Sequence, residues 1–131
     1  MKIPSIFVVD DDAIIALRNC ELLTKAGYDV PQMFASGEDL LEYLDLSGPP
    51  DLILMDIGLD GKIDGLETAR RVRQRFDVPF IFLSSYTDDQ RKARAQELSP
   101  NGYLVKPVVE QQLMKIVGEI LGSAESFGKG R

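Results

Sequence analysis

The sequence contains no histidine, no tryptophan and only one cysteine, Cys20. Without histidine there is no Ser/His/Asp catalysis and none of the usual zinc ligand sets. A lone cysteine forms no disulfide within the chain, and Cys20 falls in an apolar-periodic segment, where a small boundary residue is expected. No stretch approaches the roughly 18 apolar residues of a membrane span. The first ten residues carry one lysine and no long apolar run, so a cytoplasmic protein is expected. Basic residues are in the minority, 15 against 21 acidic, and the net charge of −6 disfavours direct binding to nucleic acid or an anionic membrane. The cluster Arg70, Arg71, Arg73 and Arg75 therefore reads as a solvated helix face. Whatever chemistry the chain performs is left to carboxylates, hydroxyls and lysine.

What is present is an ordinary globular composition, 44% hydrophobic and 27% charged over 131 residues, about the size of one domain. Short continuous apolar runs recur: IFVV at 6–9, LILM at 52–55, FIFL at 80–83 and YLV at 103–105, with a weaker strand near 30–35. Continuous rather than alternating apolar character predicts parallel strands buried on both faces. Helical periodicity fills the intervals. One helix starts near Asp12 and stops at Gly27, another is capped by Ser36, and a third begins at Asp64 with Glu67 in capping-box spacing. A fourth, with Thr87 and Gln90 in the same spacing, offers only Ala93, Ala95 and Leu98 as apolar anchors, so a weak grip on the core is expected. The last starts at about Val109 and carries Leu113, Ile116, Val117, Ile120 and Leu121 on one side. Strand then helix, five times over, predicts an α/β doubly wound five-stranded parallel sheet with right-handed crossovers. Residues 1–122 form the expected domain and 123–131 a flexible tail or the start of a linker.

In such a sheet the C-terminal ends of all strands share one edge, where ligands bind. The first strand runs into Asp10, Asp11 and Asp12, the third ends at Asp56, the fourth at Ser84, and the fifth leads to Lys106 and Pro107. Carboxylates brought together this way repel one another unless a cation joins them. All-oxygen ligands select Mg²⁺, with Mn²⁺ as a substitute. Asp12 alone is better read as a helix cap. Lys106 and Ser84 supply a point charge and a hydroxyl, which is what the oxygens of a phosphorylated carboxylate require.

Four ordered motifs, FVVDDD, LILMD…DGLE, FIFLSS and GYLVKP, resemble the receiver domain of bacterial two-component response regulators over about residues 3–122. The resemblance implies a flavodoxin-like sheet of order 2-1-3-4-5. It implies that Asp56 accepts the phosphoryl group, that Asp11 ligates Mg²⁺ directly and Asp10 mainly through water, and that the Gly58 carbonyl completes the protein ligands. Ser84 and Lys106 would hold phosphoryl oxygens, Tyr103 would be the aromatic switch, and the Lys106–Pro107 bond would be cis. The implied partners are a histidine kinase or phosphotransfer protein and a downstream target or output domain, with a homodimer through the 87–121 face as a further expectation. The chain departs from the family pattern in the loop IGLDGKI, one residue longer than the commonest form and without its proline. Asp60 and Asp64 are read there as turn and cap residues. The competing reading is an aspartate-nucleophile phosphohydrolase of haloacid dehalogenase type, which would use Asp10 and Asp12 as a D-x-D pair. A flavin or nucleotide binder on the same architecture is disfavoured by three acids in the loop after the first strand.

Overall fold

The computed structural model describes residues 3–85 and 89–122. Strands and helices alternate: β1 (Ser5–Val9), α1 (Ala13–Lys25), β2 (Asp29–Phe34), α2 (Gly37–Ser47), β3 (Leu52–Asp56), α3 (Gly65–Arg73), β4 (Phe80–Ser84), α4 (Asp89–Glu97), β5 (Gly102–Val105) and α5 (Glu110–Leu121). The strands form one parallel sheet in the order β2-β1-β3-β4-β5. β1, β3 and β4 are the apolar runs of the sequence, and their side chains alternate between two cores. Phe7, Val9, Ile53, Met55, Phe80 and Phe82 face α2, α3 and α4. Ile6, Val8, Leu52, Leu54, Ile81 and Leu83 face α1 and α5.

Helix starts follow capping chemistry. Asp12, Ser36 and Asp64 are the N-caps of α1, α2 and α3, and each side chain accepts backbone N–H bonds that the first helical turn leaves unpaired. The capping box expected at α3 is half made: Asp64 accepts from Glu67 N, while Glu67 turns outward to Arg70 and Arg71. α1 ends at Lys25 with Ala26 as its C-cap, and Gly27, where the cap was expected, follows it with a φ of 100° that suits glycine. The Thr87/Gln90 pairing falls partly outside the described residues. One buried residue of α1 was not legible from its type: Asn19 lies in the seam with Ala16 and Leu23, and among the described residues its side-chain amide has no hydrogen-bond partner.

β2 is an edge strand and an irregular one. It contains Pro31, and its register with β1 steps from Ser5↔Asp29 to Phe7↔Gln32. At the opposite edge β5 is four residues long. No helix among the described residues is long and apolar enough to cross a membrane.

Candidate functional site

Parallel pairing places the ends of β1, β3 and β4 and the residue after β5 along one edge of the sheet. β1 leads into Asp10, whose N–H is fixed by Phe34 O at 3.0 Å. β3 ends on Asp56 and β4 on Ser84, and all three side chains are buried. A strand of this kind ends on a carboxylate because the residue beyond its last apolar position reaches the polar edge. Asp10, Asp11 and Asp56 each bring one carboxylate oxygen within 4.8 Å of the others. Lys106 Nζ lies 3.0 Å from Asp10 Oδ2 and 3.1 Å from Asp56 Oδ2, so one ammonium bridges two buried carboxylates. The sequence placed Lys106 beside an aspartate; the structure places it between two.

The remaining oxygens are also held. Asp56 Oδ1 accepts from Gly58 N at 2.9 Å and Asp10 Oδ1 from Asp12 N at 2.9 Å. Asp11, the exposed member of the cluster, accepts from Asp60 N on its Oδ2 at 3.1 Å. Burial pushes the Asp56 carboxyl above its ordinary value and repulsion from Asp10 adds to this, while the Gly58 N–H and Lys106 act in the opposite direction. Burial works against a charged Lys106. Its hydrogen bond to Asp10 and its contact with Asp56 outweigh that cost, and the ammonium is held above its ordinary value. The cluster thus carries three acids and one interior cation, a donor set of carboxylate oxygens that fits a hard divalent ion.

Ser84 is paired with Val105 in the sheet, and its carbonyl accepts from Lys106 N at 2.7 Å, so the hydroxyl-bearing and lysine-bearing strand ends are tied together. Tyr103 pairs with Phe82 one strand further out and packs, half-buried, on the core under α2, α3 and α4. Among the described residues it makes no hydrogen bond to the carboxylates. The Lys106–Pro107 peptide is cis. Asp12 caps α1, its Oδ1 accepting from Ile14 N and Ile15 N, and it stands outside the cluster of Asp10, Asp11 and Asp56, which disfavours the D-x-D pair of the phosphohydrolase reading. The arginines of α3, and Arg75 just beyond it, are likewise committed. Arg70 and Arg71 bind Glu67, lowering its pKa to about 2, Arg75 binds Asp45, and Arg73 binds the carbonyls of Leu98 and Ser99.

The helix α3 begins hard against the site. A Cβ at Gly65 would lie 2.0 Å from Asp56 O, so no other residue fits there without moving the backbone. The loop between Asp56 and Asp64 also carries the Asp60 amide over Asp11. This contact was not foreseen, since no side-chain type announces a backbone donor.

The geometry agrees with comparison to known proteins. Residues 6–118 match the family described as the response regulator receiver domain. The transcriptional regulatory protein AfsQ1 of Streptomyces coelicolor is 36% identical over 122 residues, 93% of this chain and 53% of the relative, so the chain spans about half the length of that protein. The signal receiver domain of a modulated diguanylate cyclase from Desulfovibrio desulfuricans superimposes with a TM-score of 0.84 at 32% identity, covering 95% of this chain and 98% of that one. A putative response regulator from Chloroflexus aurantiacus gives a TM-score of 0.83 at 35% identity, covering 92% and 98%. That family consists of signalling domains that bind a divalent metal in an acidic pocket. With the sheet order, the carboxylate cluster and the bridging lysine all in place, this chain belongs to the response regulator receiver domains.

Proposed function

We propose that Asp56 is the residue phosphorylated by a histidine kinase or phosphotransfer protein, with Mg²⁺, or Mn²⁺ in its place, held by Asp10, Asp11, Asp56 and the Gly58 carbonyl. The observation that carries this reading is the Lys106 ammonium lying 3.0 Å and 3.1 Å from the buried carboxylates of Asp10 and Asp56. An Asp56 oxygen attacks phosphorus, the P–N bond of the donor phosphohistidine breaks, and its electron pair returns to the imidazole as the acyl phosphate forms. When bound, the divalent ion neutralises charge on the transferring oxygens. Lys106 keeps one Asp56 oxygen oriented and offers its ammonium to the incoming oxygens, while Gly58 N–H fixes the other. Ser84 supplies a hydroxyl to the product phosphoryl group. The step is stoichiometric labelling rather than turnover.

Residues 1–122 act as one receiver unit; the tail or linker expected at 123–131 lies outside the described residues. Ser84 moves toward the new phosphoryl group, Tyr103 turns, and α4 shifts, so that the 84–121 face reports the state to a target, an output domain or a second copy of the chain. Support comes from Ala95, the one fully buried apolar residue of α4. Intact mass spectrometry after acetyl phosphate treatment, coupled to amide exchange on the same samples, tests both parts. One phosphoryl group is expected on the wild type with Mg²⁺ and none in EDTA or in Asp56→Asn, with altered exchange across 89–106. Labelling that survives Asp56→Asn or EDTA overturns the acceptor; changes confined to residues 56–65 remove this route for the signal.

A further inference from the structure

The three clustered carboxylates are not restrained equally. Asp10 is held by Asp12 N and by Lys106, and Asp56 by Gly58 N and by Lys106. Asp11 is exposed and out of Lys106's network; the hydrogen bond its side chain accepts comes from Asp60 N, 49 residues away in sequence. An exposed aspartate otherwise samples several rotamers, and ordering it costs side-chain entropy whenever it is recruited as a ligand.

The donor sits on a loop anchored in the core just before it. Ile57 and Leu59 are buried in the core under α2 and α3, so the residue before Asp60 is an apolar anchor. Gly61 follows with a φ of 132°, and a Cβ there would come within 3.2 Å of the Glu38 carboxylate on α2. Beyond it Gly65 rests on Asp56 O. The Asp60 amide is therefore delivered to Asp11 directly after a buried anchor, Leu59, while Gly61 and Lys62 beyond it are exposed.

We infer that the Asp60 N–H, carried by the buried Leu59, is a positioning group for metal binding: it restrains one Asp11 oxygen and so leaves the other oriented toward the ion. The inference rests on the metal-dependent phosphoacceptor reading and deepens it. It assigns a role to the loop after Asp56, which does for Asp11 what Lys106 does for Asp10 and Asp56. Groups that orient a ligand from behind typically change metal affinity by about 10–100-fold when removed. Here the group is a backbone donor, so only a substitution that deletes the N–H removes it.

Isothermal titration of the full, unphosphorylated chain with Mg²⁺ provides the test. Asp60→Pro, which lacks the N–H, is expected to weaken binding about tenfold, whereas Asp60→Asn, which keeps it, stays within about threefold. Urea unfolding of both variants in EDTA separates lost affinity from lost stability. Equal dissociation constants for Asp60→Pro and Asp60→Asn overturn the inference. Should Asp60→Pro fail to fold, amide exchange of metal-free wild type against Asp11→Ala decides the matter. Several-fold faster exchange at Asp60 in Asp11→Ala supports the hydrogen bond, and unchanged exchange overturns it. A wild-type chain that binds no Mg²⁺ overturns the metal-dependent reading itself, an outcome distinct from failure of the loop's role.

Discussion

Helices α3 and α4 pack on the same face of the sheet and are both nine residues long, yet different forces hold them there. α3 sinks Leu66, Thr68, Ala69 and Val72 into the core and abuts β3 through Gly65. α4 buries Ala95, with Leu98 half-buried just after it, and is otherwise fastened by polar groups reaching from α3. The Asp64 carboxylate lies 3.5 Å from Arg91 and 3.6 Å from Arg94, and Arg73 closes the far end on Leu98 O and Ser99 O. Apolar burial is additive and costly to undo, whereas exposed ion pairs are individually weak and readily exchanged. One helix is thus part of the frame and its neighbour is clipped to it. The clip at the N-terminal end is Asp64, the N-cap of α3 and the last residue of the loop that follows Asp56.

The largest expected effect tests the frame. Leu66→Ala should destabilise the domain by about 2–5 kcal/mol in urea unfolding, because a fully buried side chain leaves a cavity. Leu98→Ala should cost about 1–2 kcal/mol, since its side chain is only half-buried. Equal costs would erase the distinction between the two helices. Next comes the far clip. Arg73→Ala should cost about 1–2 kcal/mol by unpairing the carbonyls that end α4, and amide exchange should quicken over 94–101 while α3 keeps its protection. Uniform acceleration through both helices would show that they unfold as one unit. The smallest effect belongs to an ion pair whose arginine is exposed. A double-mutant cycle on Asp64 and Arg94 should give a coupling of about 0.2–1 kcal/mol that falls in high salt. A salt-independent coupling would mean that the contact is not chiefly electrostatic.

How much of this was legible in the sequence depends on which groups carry the structure. Strands β1, β3 and β4 were readable because burial on both faces demands unbroken apolar runs, and the residues just past those runs, Asp10 and Asp56, were readable as edge carboxylates. Asp12, Ser36 and Asp64 declared themselves as caps through side-chain type and spacing. Asn19 did not, because a polar residue on an apolar seam contradicts periodicity instead of following it. Nor did the grip of Arg73 on α4, since its acceptors are main-chain carbonyls, which every residue possesses. The Asp60–Asp11 contact was hidden for the same reason. Side-chain chemistry can be read from composition and spacing; backbone donors and acceptors become specific only once the chain path is known.

The irregular edge at β2 bears on how copies of this protein meet. An exposed strand with evenly spaced N–H and C=O groups is a template for another strand and so for aggregation. Pro31 withholds one donor, and the register step against β1 disturbs the spacing of its neighbours. The four residues of β5 make the other edge too short to offer a long template. With both edges discouraged from extending the sheet, a second copy meeting this one finds little to pair with along its strands.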